Sequence, residues 1–245
     1  MFQRLRRLIT RSDDQRQREY WETDLGIRDV HHPIVEGFAQ QRWEHLAKLL
    51  PLSEIKSALD VGAGNGFSTL YAPYGLDAVA ADGSTRYLQK NPADKRVQVN
   101  ALELPFQRDS FDLTFCWELL HHVEMPHQAL REMARVSKRW VMLFEPNPLN
   151  PAQAVFAVVD REHHWVLRYS ERYVRQQLAR AGLVPRVIQR VGLIFPNRTP
   201  EWLYPLLRAL PFRWPLIGIS LLVIAEKART TSDTRLSTHA HIGDG

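Results

Sequence analysis

The chain has 245 residues, 44% hydrophobic and 24% charged, which is ordinary soluble globular usage and enough for one α/β domain with a sizeable core. Its single cysteine, Cys116, excludes an intrachain disulfide and a cysteine zinc cluster and is compatible with a reducing compartment. Of the formal charge of +5, residues 1–18 carry +4 (six arginines against Asp13 and Asp14), so the remainder lacks the even basic coat of a nucleic-acid binder.

In chain order, residues 1–20 read as a basic arm in which Phe2, Leu5, Leu8 and Ile9 recur at near-helical spacing. Such an arm is either a solvated terminus or an amphipathic helix resting on an anionic membrane. Residues 1–30 hold no apolar core long enough for a secretory signal. Trp43, Leu46, Ala47 and Leu50 then mark a helix closed by Pro51. Short apolar strands are predicted at 58–61, 78–81, 97–99, 111–116 and 140–144. Between them fall a helix starting at Ser68, a short one capped by Ser84, and one over 128–137. Residues 147–170 follow a Pro-rich break, with an apolar helix at 152–159. Ser170 caps a helix that Gly182 stops, and strands at 183–191 and 217–226 close the domain. The alternation implies a doubly wound, mostly parallel, seven-stranded α/β sheet of Rossmann-like type with an antiparallel C-terminal strand and a helical lid insertion. The domain spans 21–226, with lid segments at about 147–170 and 192–216, and 227–245 is a polar tail. The stretch 202–225 carries Arg208, Arg213 and three prolines, which argues against a membrane span.

In such sheets ligands sit beyond the carboxyl ends of the strands. Gly62-Ala63-Gly64-Asn65-Gly66 lies there, between a strand and a helix. Glycine lets backbone approach a ligand, and the helix start beyond offers N–H groups to an anion: a dinucleotide's pyrophosphate or a methionyl carboxylate. Phe67 stands where the dinucleotide fingerprint needs its third glycine. Asp82, 20 residues after Gly62 at the end of the next strand, can accept from both hydroxyls of an adenosine ribose. Together they indicate an adenosine-bearing cofactor without choosing which.

Four ordered segments resemble the class I S-adenosylmethionine (SAM)-dependent methyltransferases, in their small-molecule and lipid branch. These are residues 59–66 (LDVGAGNG), 100–106 with 109–113 (NALELPF, DSFDL), 118–123 (ELLHHV) and 129–136 (ALREMARV). A weaker likeness runs from His164 to Gly182. The resemblance implies SAM as cofactor. Asp60 would hold the loop backbone or the methionyl amine, and Gly62, Gly64 and Gly66 would pass beneath the methionyl and ribose parts. Asp82 would bind the ribose, Ala101 and Leu102 would contact the adenine, and Trp117 would line the sulfonium side. Asn100 replaces the family's usual aspartate, but its amide oxygen can still accept from the adenine amino group. The turn before the fifth predicted strand, residues 136–140, departs from the family's "L-K-P-G-G".

Methyl transfer needs in-line positioning and a dry pocket. A hydroxyl acceptor also benefits from a base, and His121 and His122, at the expected mouth, suit that task. Glu118 and Glu145 are rival bases. His163, His164 and Trp165 fall where a lid would form. Asp, Glu and His are too scattered for a metal site. The implied activity is SAM-dependent methylation of a small-molecule acceptor, O-methylation favoured. The acceptor is apolar or lipid-linked if the segment from Trp202 to Pro215 forms a lid or touches a membrane. No nucleic acid is expected as partner, and the location is cytoplasmic, with peripheral contact at the inner membrane face. The rivals are an NAD(P)-dependent oxidoreductase and a non-catalytic SAM-binding protein. Against the first, no tyrosine has lysine four positions on, the pair that short-chain reductases need.

Overall fold

The computed structural model describes residues 27–159 and 161–228, without the side chains of 161–164. The basic arm and nearly all of the polar tail lie outside the described residues, as do the side chains of His163 and His164. Seven strands form one sheet: β1 (Ser57–Val61), β2 (Asp77–Asp82), β3 (Arg96–Gln98), β4 (Phe111–Trp117), β5 (Ser137–Pro146), β6 (Leu183–Val191) and β7 (Ser220–Lys227). Their spatial order is β3-β2-β1-β4-β5-β7-β6, with β7 antiparallel to both neighbours and the other pairings parallel. The order reverses between β1 and β4, so the crevice for a ligand opens there, at the carboxyl ends of those strands.

The helices are α1 (Pro33–Leu46), α2 (Phe67–Leu70), α3 (Thr85–Lys90), α4 (Pro126–Val136), α5 (Pro151–Val159), α6 (Glu171–Arg180) and α7 (Tyr204–Ala209). One core lies between the sheet and α4 and α6, built on Leu59, Leu130, Met133, Leu143, Leu178 and Val223. The other lies beneath α1, built on Trp43, Leu46, Phe115, Trp117, Met142 and Ile224. Successive residues of β4 serve opposite cores, Phe115 and Trp117 on the α1 side and Cys116 on the other, as strand alternation requires.

Several elements differ in their bounds from the sequence reading: β5 begins at Ser137 and not at 140, and α4 runs from Pro126 to Val136 and not over 128–137. Helix α1 begins ten residues before Trp43, with Pro33 in its first turn and the His32 ring capping the Ile34 N–H. Its buried stripe includes Gln41 and Arg42, and these polar residues break the apolar period on which the expectation rested. Strand β7 begins at Ser220 rather than 217 because Gly218 presses against the Arg190 backbone, where a Cβ would come within 2.5 Å of the Val191 nitrogen.

The segment after β6 docks on α1. Tyr204 and Leu207 join Ile34, Phe38, Ile194 and Ile219 in a third cluster, and Arg208 pairs with Glu44 at 2.9 Å. Arg28 ties its start down by donating to the Pro196 and Thr199 carbonyls. No helix among the described residues is long and apolar enough to cross a membrane.

Candidate cofactor and acceptor site

Three glycines of the β1–α2 loop hold φ of +77° (Gly62), +52° (Gly64) and +92° (Gly66), a region that side-chain-bearing residues rarely occupy. Two are also packed too closely for a Cβ. At Gly62 it would sit 2.8 Å from Leu119, and at Gly66 2.3 Å from the Asn91 amide. At Gly64 nothing lies within 4 Å, so its open face is where a ligand backbone can pass. The loop is fixed from outside. The Gly62 and Ala63 N–H groups donate to the Ala81 carbonyl, the Gly64 N–H donates to Asp82 Oδ2 (2.8 Å), and Asn91 Nδ2 donates to the Gly64 carbonyl (3.1 Å).

Asp60 lies fully buried beneath this loop. Its Oδ2 accepts from the Ser68 hydroxyl at 2.5 Å and the Thr69 hydroxyl at 2.7 Å, which joins β1 to the start of α2. Its Oδ1 is buried with no hydrogen-bond partner among the described residues. Burial pushes the carboxyl up to about 7, the two hydroxyls oppose the rise, and Asp82 adds to it. A buried carboxylate oxygen lacking a donor is costly, and a cationic amine of a bound ligand would supply one.

Asp82 Oδ1 also accepts from the Ser84 N–H, so the carboxylate stands at the β2 end in the turn that caps α3. Asn100 turns its Oδ1 onto the Leu102 N–H at 3.0 Å, and Ala101 and Leu102 are half-buried against the α4-side core. Helix α4 holds this 100–106 stretch in place. Glu132 accepts from the Leu104 N–H, Arg135 donates to the Leu104 and Phe106 carbonyls, and the two side chains pair at 2.7 Å. The Arg135 guanidinium holds the Glu132 carboxyl below its ordinary range against partial burial. The conspicuous "R-E-M-A-R" of α4 is thus the brace of the loop expected to meet the adenine.

Beyond β4 the backbone hangs on Glu145. This fully buried carboxylate accepts from the Leu119 and Leu120 N–H groups through Oε1, and from the His121 N–H through Oε2. His121 Nδ1 lies 2.9 Å from Oε2. Burial pushes Glu145 up to about 8 in spite of the backbone donors. The Tyr169 hydroxyl donates to the Leu120 carbonyl from the other side. His121 is therefore only 2% exposed, enclosed by Glu145 and Tyr169 beneath the loop rather than at a mouth. His122, half-buried, sets its ring against that of His121 at a tilt of 44°, with centroids 3.9 Å apart. Trp117 is 5% exposed, among Phe38, Trp43, Phe67, Phe115 and Phe144, so it backs the site from the core instead of lining it.

The sequence reading missed Arg42, Ser220, Asn91 and Tyr169. Arg42 is 1% exposed. Its Nη2 reaches Glu118 Oε1 at 2.9 Å and the Ser220 hydroxyl at 2.7 Å. No sequence signal pairs residues 76 and 178 positions apart. Arg42, among the apolar Phe38, Ala39, Trp43 and Leu46, is the one clue the sequence offers.

Residues 59–143 match a family model described as a methyltransferase domain. A demethylmenaquinone methyltransferase of Renibacterium salmoninarum is 32% identical over 141 residues, 55% of this chain and 60% of that protein. A 27-O-demethylrifamycin SV methyltransferase of Amycolatopsis mediterranei is 27% identical over 132 residues, 48% of each. The chain spans about half the length of the curated relatives it matches. A solved SAM-dependent methyltransferase from Thermotoga maritima superposes with a TM-score of 0.61 at 15% identity, over 78% of this chain and 89% of that one, a likeness of fold.

Proposed function

We propose that this chain, a member of the class I SAM-dependent methyltransferase family by its sheet order and its matched domain, transfers a methyl group from SAM to a small-molecule acceptor. The observation that carries the reading is the β1–α2 loop. It combines a glycine cradle open at Gly64, a buried Asp60 oxygen awaiting a donor, and an Asp82 carboxylate at the neighbouring strand end. These fit the parts of SAM: Asp60 the methionyl ammonium, the open face of Gly64 the passage of the methionyl chain, Asp82 the ribose, and residues 100–102 the adenine. SAM supplies an electrophilic methyl on a sulfonium. The protein's part is to orient it, exclude water and hold the acceptor in line.

The relatives are named for demethylmenaquinone and for 27-O-demethylrifamycin SV, which supports a small-molecule acceptor. We extend this to an apolar acceptor methylated on oxygen. Support comes from the exposed apolar side chains of the two lid segments: Val155 and Val158 on α5, and Trp202, Leu206 and Leu216 after β6. The same side chains would let the protein rest on a membrane's inner face. With His121 sealed by Glu145, the candidate bases are His122 and its rival Glu118.

The test is transfer of label from methyl-tritiated SAM into extract of the source cells, followed by partition. Label in the organic phase supports an apolar acceptor. Label in the aqueous or macromolecular phase refutes that acceptor and leaves methyl transfer standing. A wild-type protein that binds neither SAM nor its product S-adenosylhomocysteine (SAH) refutes the whole reading.

A further inference from the structure

Glu118 directly follows Trp117, the last residue of β4, and it is held unlike its neighbours. Its φ is +60°, a left-handed conformation that a residue with a side chain keeps only when its surroundings fix it. Here they do. The Glu118 N–H donates to the Phe144 carbonyl at 2.7 Å, and the adjacent Leu119 packs on Gly62 of the cofactor loop. Carboxylate oxygen Oε1 accepts from Arg42 Nη2 and from the Ser220 hydroxyl, both at 2.9 Å. Arg42 is itself clamped, its guanidinium 4.0 Å from the Phe38 ring centroid and 4.2 Å from that of Phe144. Oxygen Oε2 receives no hydrogen bond among the described residues, and 30% of the Glu118 side chain is exposed against 2% for Arg42. One oxygen is thus fixed by α1 and β7 while the other is left without a donor among the described residues, on a part-exposed side chain at the carboxyl end of β4.

We propose that Glu118 is the acceptor-facing carboxylate of this site, its Oε2 taking a hydrogen bond from the hydroxyl or amine that is to be methylated, with Arg42 and Ser220 as its positioning residues. The assignment rests on the SAM reading above. A strained residue whose carboxylate is pinned at one oxygen and open at the other is pre-organised for a hydrogen-bond donor. The αL turn explains why the carboxylate leaves the line of β4, where strand geometry would have sent its side chain to the Cys116 face.

The test needs no acceptor. Sinefungin carries a C–NH3+ group where SAM carries its methylsulfonium, so its ammonium stands where the transferred methyl would, and SAH has nothing there. Calorimetric affinities of both ligands are compared in wild type, Glu118→Gln and Ser220→Ala. Loss of the charge-assisted hydrogen bond is expected to weaken sinefungin about tenfold in Glu118→Gln while SAH changes less than about twofold. Ser220→Ala, which removes one of two holds on Oε1, is expected to weaken sinefungin in the same sense but less. If Glu118→Gln fails to fold, Ser220→Ala alone decides. Equal weakening of both ligands, or no selective change in either variant, overturns the assignment and leaves the SAM reading intact. Absence of SAH binding by wild type overturns both.

Discussion

If Asp60 receives the ammonium of the methionyl group, cofactor affinity depends on pH with a sign and size set by its burial. Burial raises the unliganded carboxyl from 3.8 to about 7, so near neutrality the site is half protonated. A cationic amine favours the ionised form, and binding below pH 7 must expel the proton first. The ionised fraction is about 0.1 at pH 6 and 0.9 at pH 8, so SAH should bind about tenfold more weakly at pH 6, equivalent to about 1.4 kcal/mol. Titration calorimetry in two buffers of different ionisation enthalpy measures both the affinity and the proton released. Asp60→Asn should bind more weakly at pH 8 and lose the dependence. The apo protein behaves oppositely. A carboxyl whose pKa is raised by folding contributes its stability in full below its ordinary value of 3.8 and loses it as the pH climbs from there through about 7, so this group lowers the unliganded Tm between about pH 4 and 7 and leaves it level above, while the SAH-induced rise grows. Equal affinity at pH 6 and pH 8, or the same slope in Asp60→Asn, would refute the ammonium contact.

Three other substitutions probe the scaffold. Gly64→Ala places a methyl in open space at φ +52°, so it should cost only about 1 kcal/mol of stability by denaturant unfolding yet abolish SAH binding; retained binding would mean the ligand does not pass there. Arg42→Met breaks an ion pair whose arginine is 2% exposed and whose glutamate is 30% exposed, which places the loss near the low end for buried pairs, about 3 kcal/mol or roughly 6–12 °C in Tm; a neutral result would show that the pair is not holding α1 to the sheet. Tyr169→Phe strands the buried Leu120 carbonyl and should cost about 1–2 kcal/mol by chemical denaturation, with no change meaning that the hydroxyl bond is not made in solution.

The sheet was legible because its five inner and central strands are short apolar runs bounded by turn residues, and the glycine loop and Asp82 because strand ends place them together whatever the side-chain packing. The start of α1 was not legible, since Arg42 and Gln41 occupy its buried stripe and the partners of Arg42, Glu118 and Ser220, lie far along the chain. The post-β4 loop shows the same limit. Its histidines stand out in the sequence, yet what fixes them is Glu145, 24 residues on, and Tyr169, which reaches back across 49. Trp117 follows Cys116 in a strand, so its face was set by alternation, but which face meets aromatic neighbours depends on where α1 docks. Local pattern reveals elements and strand-end motifs; the placing of polar side chains between elements is a tertiary property.

The central claim is that the β1–α2 loop holds SAM and not a nicotinamide dinucleotide. Calorimetric titration of the wild-type chain with SAH, NAD and NADP tests it most directly, with Asp82→Asn as the site control. The account predicts one SAH bound per chain, about tenfold weaker in Asp82→Asn, and no binding of either dinucleotide. Binding of NAD or NADP without SAH would contradict it.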